Sequence, residues 1–108
     1  MTGLAEKRCI PCMGGVPPIE AGKAEQLLGK LGGGWGIVDG HHLKKIFSFN
    51  SFMESVDFVG KVAALAEEQG HHPNIYIDFR DVVLTIWTHK IDGLAESDFI
   101  LAAKIDEL

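Results

Sequence analysis

"SFMESVDFVGKVAALAEEQGHHPNIYIDFRDVVLTIWTH", residues 51 to 89, changes its hydrophobic period once, and that change decides the fold. In its first part Phe52, Val56, Val59, Ala63 and Ala66 recur at three- and four-residue spacing, with Val62 and Leu65 beside them. That is the period of a helix with one face turned to a core. Ser51 followed by Glu54 makes a capping box at its start, and Gly70 is a stop signal at its end. After Pro73 the period falls to two. Ile75, Ile77 and Phe79 point one way from a strand, and Asn74, Tyr76 and Asp78 the other. A turn at Arg80-Asp81 leads into a second strand. There Val82, Leu84 and Ile86 face one side, and Val83, Thr85, Trp87 and His89 the other.

The flanking segments extend this pattern. Pro17-Pro18 ahead of "IEAGKAEQLLGKLGGG" predicts a helix with proline at its start, glycine past its end, and Ile19, Leu27, Leu28 and Leu31 on its apolar face. "WGIVDGHHLKKIFSF", residues 35 to 49, predicts two short strands around the Asp39-Gly40 turn. "AESDFILAAKIDEL" closes the chain as a helix, with Phe99, Ile100, Ala103 and Leu108 on its inner side. The order is helix, strand, strand, helix, strand, strand, helix. Two hairpins, each with one apolar face, predict an α+β fold: a four-stranded antiparallel sheet with its helices on one face. The chain divides into an N-terminal arm, residues 1–17, and one domain, residues 18–108. The half-apolar second face, with Tyr76, Val83, Thr85 and Trp87, suits contact with another subunit.

Composition narrows the function. The chain has 108 residues, 46% of them hydrophobic and 23% charged, an ordinary globular mix for a single domain. Ten basic residues against fifteen acidic ones give a net charge of −5, and the largest basic cluster is Lys44-Lys45. Nucleic-acid binding needs clustered cations to neutralise phosphates, so direct binding is not expected. No apolar run approaches the roughly 20 residues that cross a bilayer, and the N-terminus lacks the apolar core of a secretory signal. A cytosolic setting with free thiols is the default. Cys9 and Cys12 form a lone C-x-x-C in a Pro/Gly-rich arm, without the second ligand pair a zinc site needs, and read as ordinary thiols.

The five histidines carry the chemistry. His41 and His42 follow a turn glycine and read as exposed surface residues. His71 and His72 stand between a helix end and Pro73, which holds His72 extended, so the two rings point to opposite sides. His89 closes the hairpin that opens after Pro73, and hairpin pairing returns it towards His71 and His72. Glu67, one helical turn before His71, can orient or charge an imidazole. Three converging imidazoles suit either a metal with an open position or metal-free proton transfer, and the pattern by itself does not choose.

Taken together, Glu67, His71-His72-Pro73, Tyr76, Thr88-His89, Gly93-Leu94 and Asp98 resemble the pterin-4a-carbinolamine dehydratases. These are also known as 4a-hydroxytetrahydrobiopterin dehydratases, or as the dimerisation cofactor of a homeodomain transcription factor. The resemblance covers roughly Pro18 to Leu108 and agrees with the predicted order of elements. It implies dehydration of the 4a-hydroxytetrahydropterin left by aromatic amino acid hydroxylases, giving a quinonoid dihydropterin. The step changes no redox state, so the resemblance implies neither cofactor nor metal. It implies His71, His72 and His89 as catalytic residues, with Glu67, Pro73, Trp35 and Asp98 around the substrate. For Trp35 the competing reading is core packing; for Asp98 it is charge complementation at a helix N-terminus. The sequence departs from the family at Ala95, where a Ser or Thr hydroxyl usually caps the last helix; the loss costs about 1 kcal/mol unless Ser97 or Asp98 substitutes. Homodimers or homotetramers are implied, with an aromatic amino acid hydroxylase or a transcription factor as further partner. The rival from another class is a non-catalytic dimerisation or transcription-cofactor module.

Overall fold

The computed structural model describes residues 3–7 and 17–108. Cys9 and Cys12 lie outside the described residues. Three helices, α1 (Ala21–Leu28), α2 (Phe52–Gln69) and α3 (Glu96–Asp106), accompany four strands: β1 (Gly36–Val38), β2 (His42–Ser48), β3 (Asn74–Asp78) and β4 (Asp81–Ile86). The sheet order is β1-β2-β4-β3, and each neighbouring pair is antiparallel. The α+β fold and its element order are as the sequence predicts.

The two hairpins meet at β2 and β4, where Leu43 pairs with Ile86 and Lys45 with Leu84. On the helix side of this seam Leu43, Val82, Leu84 and Ile86 are fully buried. They form one core with Leu27, Val62, Leu94, Phe99, Leu101 and Ile105. On the open side Ile46 and Tyr76 both flank Val83 in the register, and they are 56% and 63% exposed.

Several local expectations shift. The α2 period holds, but the buried stripe is Ser55, Phe58, Val62 and Ala66, while Phe52 and Ala63 face solvent. The stripe turns because Phe58 packs against both Phe47 and Phe49. The second hairpin turns at Phe79-Arg80 instead of Arg80-Asp81, since Asp78 pairs with Asp81. Phe79 takes a left-handed φ of 55° there, so its ring leaves the sheet and is exposed. β4 ends at Ile86, and His89 opens a 3-10 turn, His89–Ile91, beyond the strand. In α3 burial extends well beyond one stripe, from Ser97 through Ala102 and again at Ile105, while Leu108 is exposed.

The burial of α3 has a cause outside residues 18–108. A 3-10 turn, Leu4–Glu6, lies on it with Leu4 in the core. Lys104 donates to the Ala5 carbonyl at 2.7 Å, and Lys7 reaches Glu96 at 3.3 Å. The described part of the N-terminal arm therefore belongs to the fold. Pro17 and Pro18 do not start α1. They belong to an irregular strap ahead of α1, in which the Ile19 amide donates to the Leu94 carbonyl at 2.9 Å.

Gly93 is where this strap needs glycine: a Cβ there would lie 2.7 Å from Cγ of Pro18. The Pro18 ring is stiff and the Ile19–Leu94 hydrogen bond holds the strap down. Gly93→Ala is expected to cost about 1–3 kcal/mol, the usual range for overpacking. Urea unfolding measures it, and an unchanged midpoint would remove the strap from the fold's requirements.

Candidate active site

The start of α3 organises the site. Ala95 occupies the capping position without a side chain that can accept a hydrogen bond. The Asp98 carboxylate, one turn on, accepts from the Ala95 amide at 2.8 Å. This is the carboxylate half of a capping box, and it answers the departure at residue 95. Asp98 is also fully buried. Its oxygens take two further donors, Oγ1 of Thr88 at 2.9 Å and Nε2 of His71 at 2.6 Å. A carboxylate out of water needs such donors to remain charged at tolerable cost. Capping and holding a histidine are thus two duties of one side chain.

His71 reaches Asp98 because of how α2 ends. Gly70 takes a left-handed φ of 64°, and the His71 amide donates back to the Ala66 carbonyl at 3.1 Å. The chain then enters β3. Asn74 pairs with Thr85, and continuing that register in step sets His72 abreast of Trp87 and His71 abreast of Thr88. The shared bond to Asp98 agrees with the second juxtaposition. In the neutral ring, an Nε2–H directed at the carboxylate leaves Nδ1 as the lone-pair nitrogen.

Glu67 pairs with His72 instead of His71, Oε1 to Nε2 at 2.7 Å. Both side chains are largely exposed, so the pair contributes at most about 1 kcal/mol. Its effect is orientational. His72 and His71 therefore use different carboxylates on different elements. Pro73 between them and β3 is half-buried.

His89 is exposed and follows Thr88 directly. Its ring stacks on Trp87, with centroids 4.3 Å apart and planes at 6°. Among the described contacts the rings of His71, His72 and His89 do not touch. His71 and His89 are connected through Asp98 and Thr88.

His41 and His42, expected to be plain surface residues, are half-buried instead. Their Nδ1 atoms lie 3.1 Å apart, and both rings contact Trp87, at 5.4 and 5.9 Å between centroids. Nε2 of His41 meets Oδ1 of Asp92 at 2.7 Å. Burial, and then the neighbouring His41, push the pKa of His42 below the ordinary imidazole value; Asp39 pulls the other way. This cluster escaped the sequence reading, although β2–β4 pairing contains its signal: Leu43 opposite Ile86 sets His42 abreast of Trp87.

Trp35 stands apart. Its ring is buried against Phe47, and Nε1 donates to both oxygens of Asp106 at 2.9–3.0 Å. Lys45 completes that pair with Asp106 at 2.8 Å. Asp106 lies eight residues beyond Asp98, about 12 Å along a helix. The structure does not bring Trp35 to the histidines. A concavity of about 270 Å³ lined by Phe49, Glu54, Asp57, Phe58, Lys61 and Leu108 includes none of the histidines either. Among the described residues, no group of three or more His, Cys, Asp or Glu side chains is arranged to hold a metal ion, and no helix is long and apolar enough to cross a membrane.

The family described as Pterin 4 alpha carbinolamine dehydratase matches residues 17–108. A protein of Rubrobacter xylanophilus, provisionally named as a pterin-4-alpha-carbinolamine dehydratase, is 53% identical over 108 residues, the full length of both chains. Among solved structures, a transcriptional coactivator/pterin dehydratase from Brucella melitensis superposes with a TM-score of 0.77 at 28% identity, covering 83% of this chain and 96% of that one. A pterin dehydratase-like protein described as a RuBisCO assembly factor of the α-carboxysome gives 0.59 at 30% identity, covering 68% of this chain and 87% of that one. With the family's match spanning the sheet, its three helices and every histidine of the cluster, this chain belongs to the pterin-4a-carbinolamine dehydratase family.

Proposed function

We propose that the protein dehydrates 4a-hydroxytetrahydropterin to quinonoid dihydropterin, recycling the pterin of an aromatic amino acid hydroxylase, by histidine acid/base chemistry without a metal. The reaction breaks the C4a–O bond, transfers the N5 proton to a base and releases water as the N5=C4a double bond forms. It needs a proton at the departing oxygen and an acceptor at N5. The observation that carries the reading is the contact between His71 Nε2 and the buried Asp98. It supports a neutral ring with Nε2–H on Asp98 and Nδ1 available to accept a proton, the base's role in this reading. His89, exposed on its short turn, is the complementary candidate for the acid. His72, oriented by Glu67, binds and aligns the pterin together with Pro73. Trp35 acts as a core residue linking β1 to α3 instead of as a substrate contact.

A second reading draws on the two structural neighbours described as a coactivator and as an assembly factor. In that reading the chain is a non-catalytic dimerisation or transcription-cofactor module, and the open sheet face around Ile46 and Tyr76 is its contact surface. The same face suits a homodimer or homotetramer of the enzyme. A cytoplasmic location fits either reading.

Turnover of chemically generated 4a-hydroxytetrahydropterin separates the two. Wild type should accelerate its loss well above the spontaneous rate, and His72→Ala should be slower; equal rates in both would favour the binding module. Asp98→Asn should lower kcat by on the order of 100-fold, because an amide can turn an N–H towards Nε2 and displace the base's lone pair. The variant's circular dichroism should stay native-like, and full activity in it would remove Asp98 from the mechanism. Dialysis against a chelator should leave turnover unchanged; a loss reversed by zinc would point to a metal enzyme.

A further inference from the structure

We infer that His41, acting through Asp92 and together with Trp87, is a positioning residue for His89. The inference rests on the reading above that His89 takes part in the reaction.

His89 needs an external hold. It opens a 3-10 turn of three residues, none of them buried, beyond the end of β4. An exposed side chain on such a turn would ordinarily sample several rotamers. Three contacts restrict it. The base of the loop is closed by a bridge between Thr88 and Gly93, with the Thr88 amide donating to the Gly93 carbonyl at 2.9 Å. The far end of the turn is Asp92, which has a left-handed φ of 50° and donates its amide to the His89 carbonyl at 3.2 Å. The ring itself is laid against the Trp87 indole in a near-parallel stack.

His41 fastens two of these three. It comes from the turn between β1 and β2, on the opposite side of the sheet seam in sequence. Its Nε2 takes the Asp92 carboxylate at 2.7 Å, and its ring lies against Trp87. Asp92 tolerates the left-handed backbone better than a bulky residue would, and the bond to His41 gives that conformation a reason to persist. The first hairpin therefore reaches across and holds the loop that carries His89. Trp87 passes the same restraint to the imidazole from below.

The test uses the full chain. Proton–carbon spectra of the histidine rings would be recorded, with His89 assigned through His89→Gln, beside turnover and thermal unfolding. In wild type the His89 ring protons should be shifted upfield by the indole. His41→Ala should move them towards the unstacked position. It should also lower kcat roughly two- to fivefold, the scale an exposed ion pair can shift an equilibrium, with KM within twofold. His41→Gln, which keeps a donor at similar reach, should restore most of both. Asp92→Asn retains the left-handed backbone and reports on the pair if His41→Ala folds poorly. His89 signals that stay in place in His41→Ala and Asp92→Asn overturn the inference. Signals that move while kcat does not would uphold the clamp and count against His89 as a catalytic residue.

Discussion

The Asp98 carboxylate is the point on which the site depends. It is fully buried, and three donors from three parts of the chain converge on it: the Ala95 amide, the Thr88 hydroxyl and His71. A buried anion is tolerated only while its donors are present, so each of these segments is held to the others by the cost of losing one. The end of α2, the end of β4 and the start of α3 are fixed together by this requirement. The helix start gains a cap from it, and the His71 ring gains a fixed partner at Nε2.

Around that point the hairpins provide the frame. β2 and β4 pair along the middle of the sheet and bury Leu43, Leu84 and Ile86 in the core they share with Phe99, Leu101 and Ile105 of α3. This pairing also determines which aromatic and imidazole rings meet above the seam, bringing His41 and His42 to Trp87 and so to His89. A second ionic anchor, Asp106 with Lys45 and Trp35, holds the other end of α3. The helix is thus tied at both ends to the sheet, and the two carboxylates serve different purposes. One is next to a histidine that can exchange protons. The other has an indole and an ammonium as partners, which act as donors only.

Family membership and this arrangement point the same way without being the same argument. Relatives with this fold include proteins described as a coactivator and as an assembly factor, so the fold by itself does not name a reaction. The proposed reaction depends on imidazoles held in defined orientations. Here His71 and His72 each have a carboxylate on one ring nitrogen, and His89 is stacked on an indole. The proposed acid/base chemistry requires such ordering, and the buried Asp98 also uses His71 as a donor.

The order of helices and strands was legible in the sequence because it rests on local chemistry. Ser51 and Glu54, Gly70, and the alternation through Val82, Leu84 and Ile86 act over a few residues, where period and capping dominate. The histidine pair, His89 and Asp98 were legible as candidates through spacing and resemblance. Which carboxylate serves which ring was not legible, since Glu67 is closer to His71 in sequence yet pairs with His72. Tertiary structure alone decided that assignment, the turn at Phe79, the burial of Leu4 and the removal of Trp35 to Asp106. It also decided that His41 would meet Asp92, 51 residues away. Local propensity has no term for contacts across a sheet seam, and these depend on register and on which buried charge must find its donors.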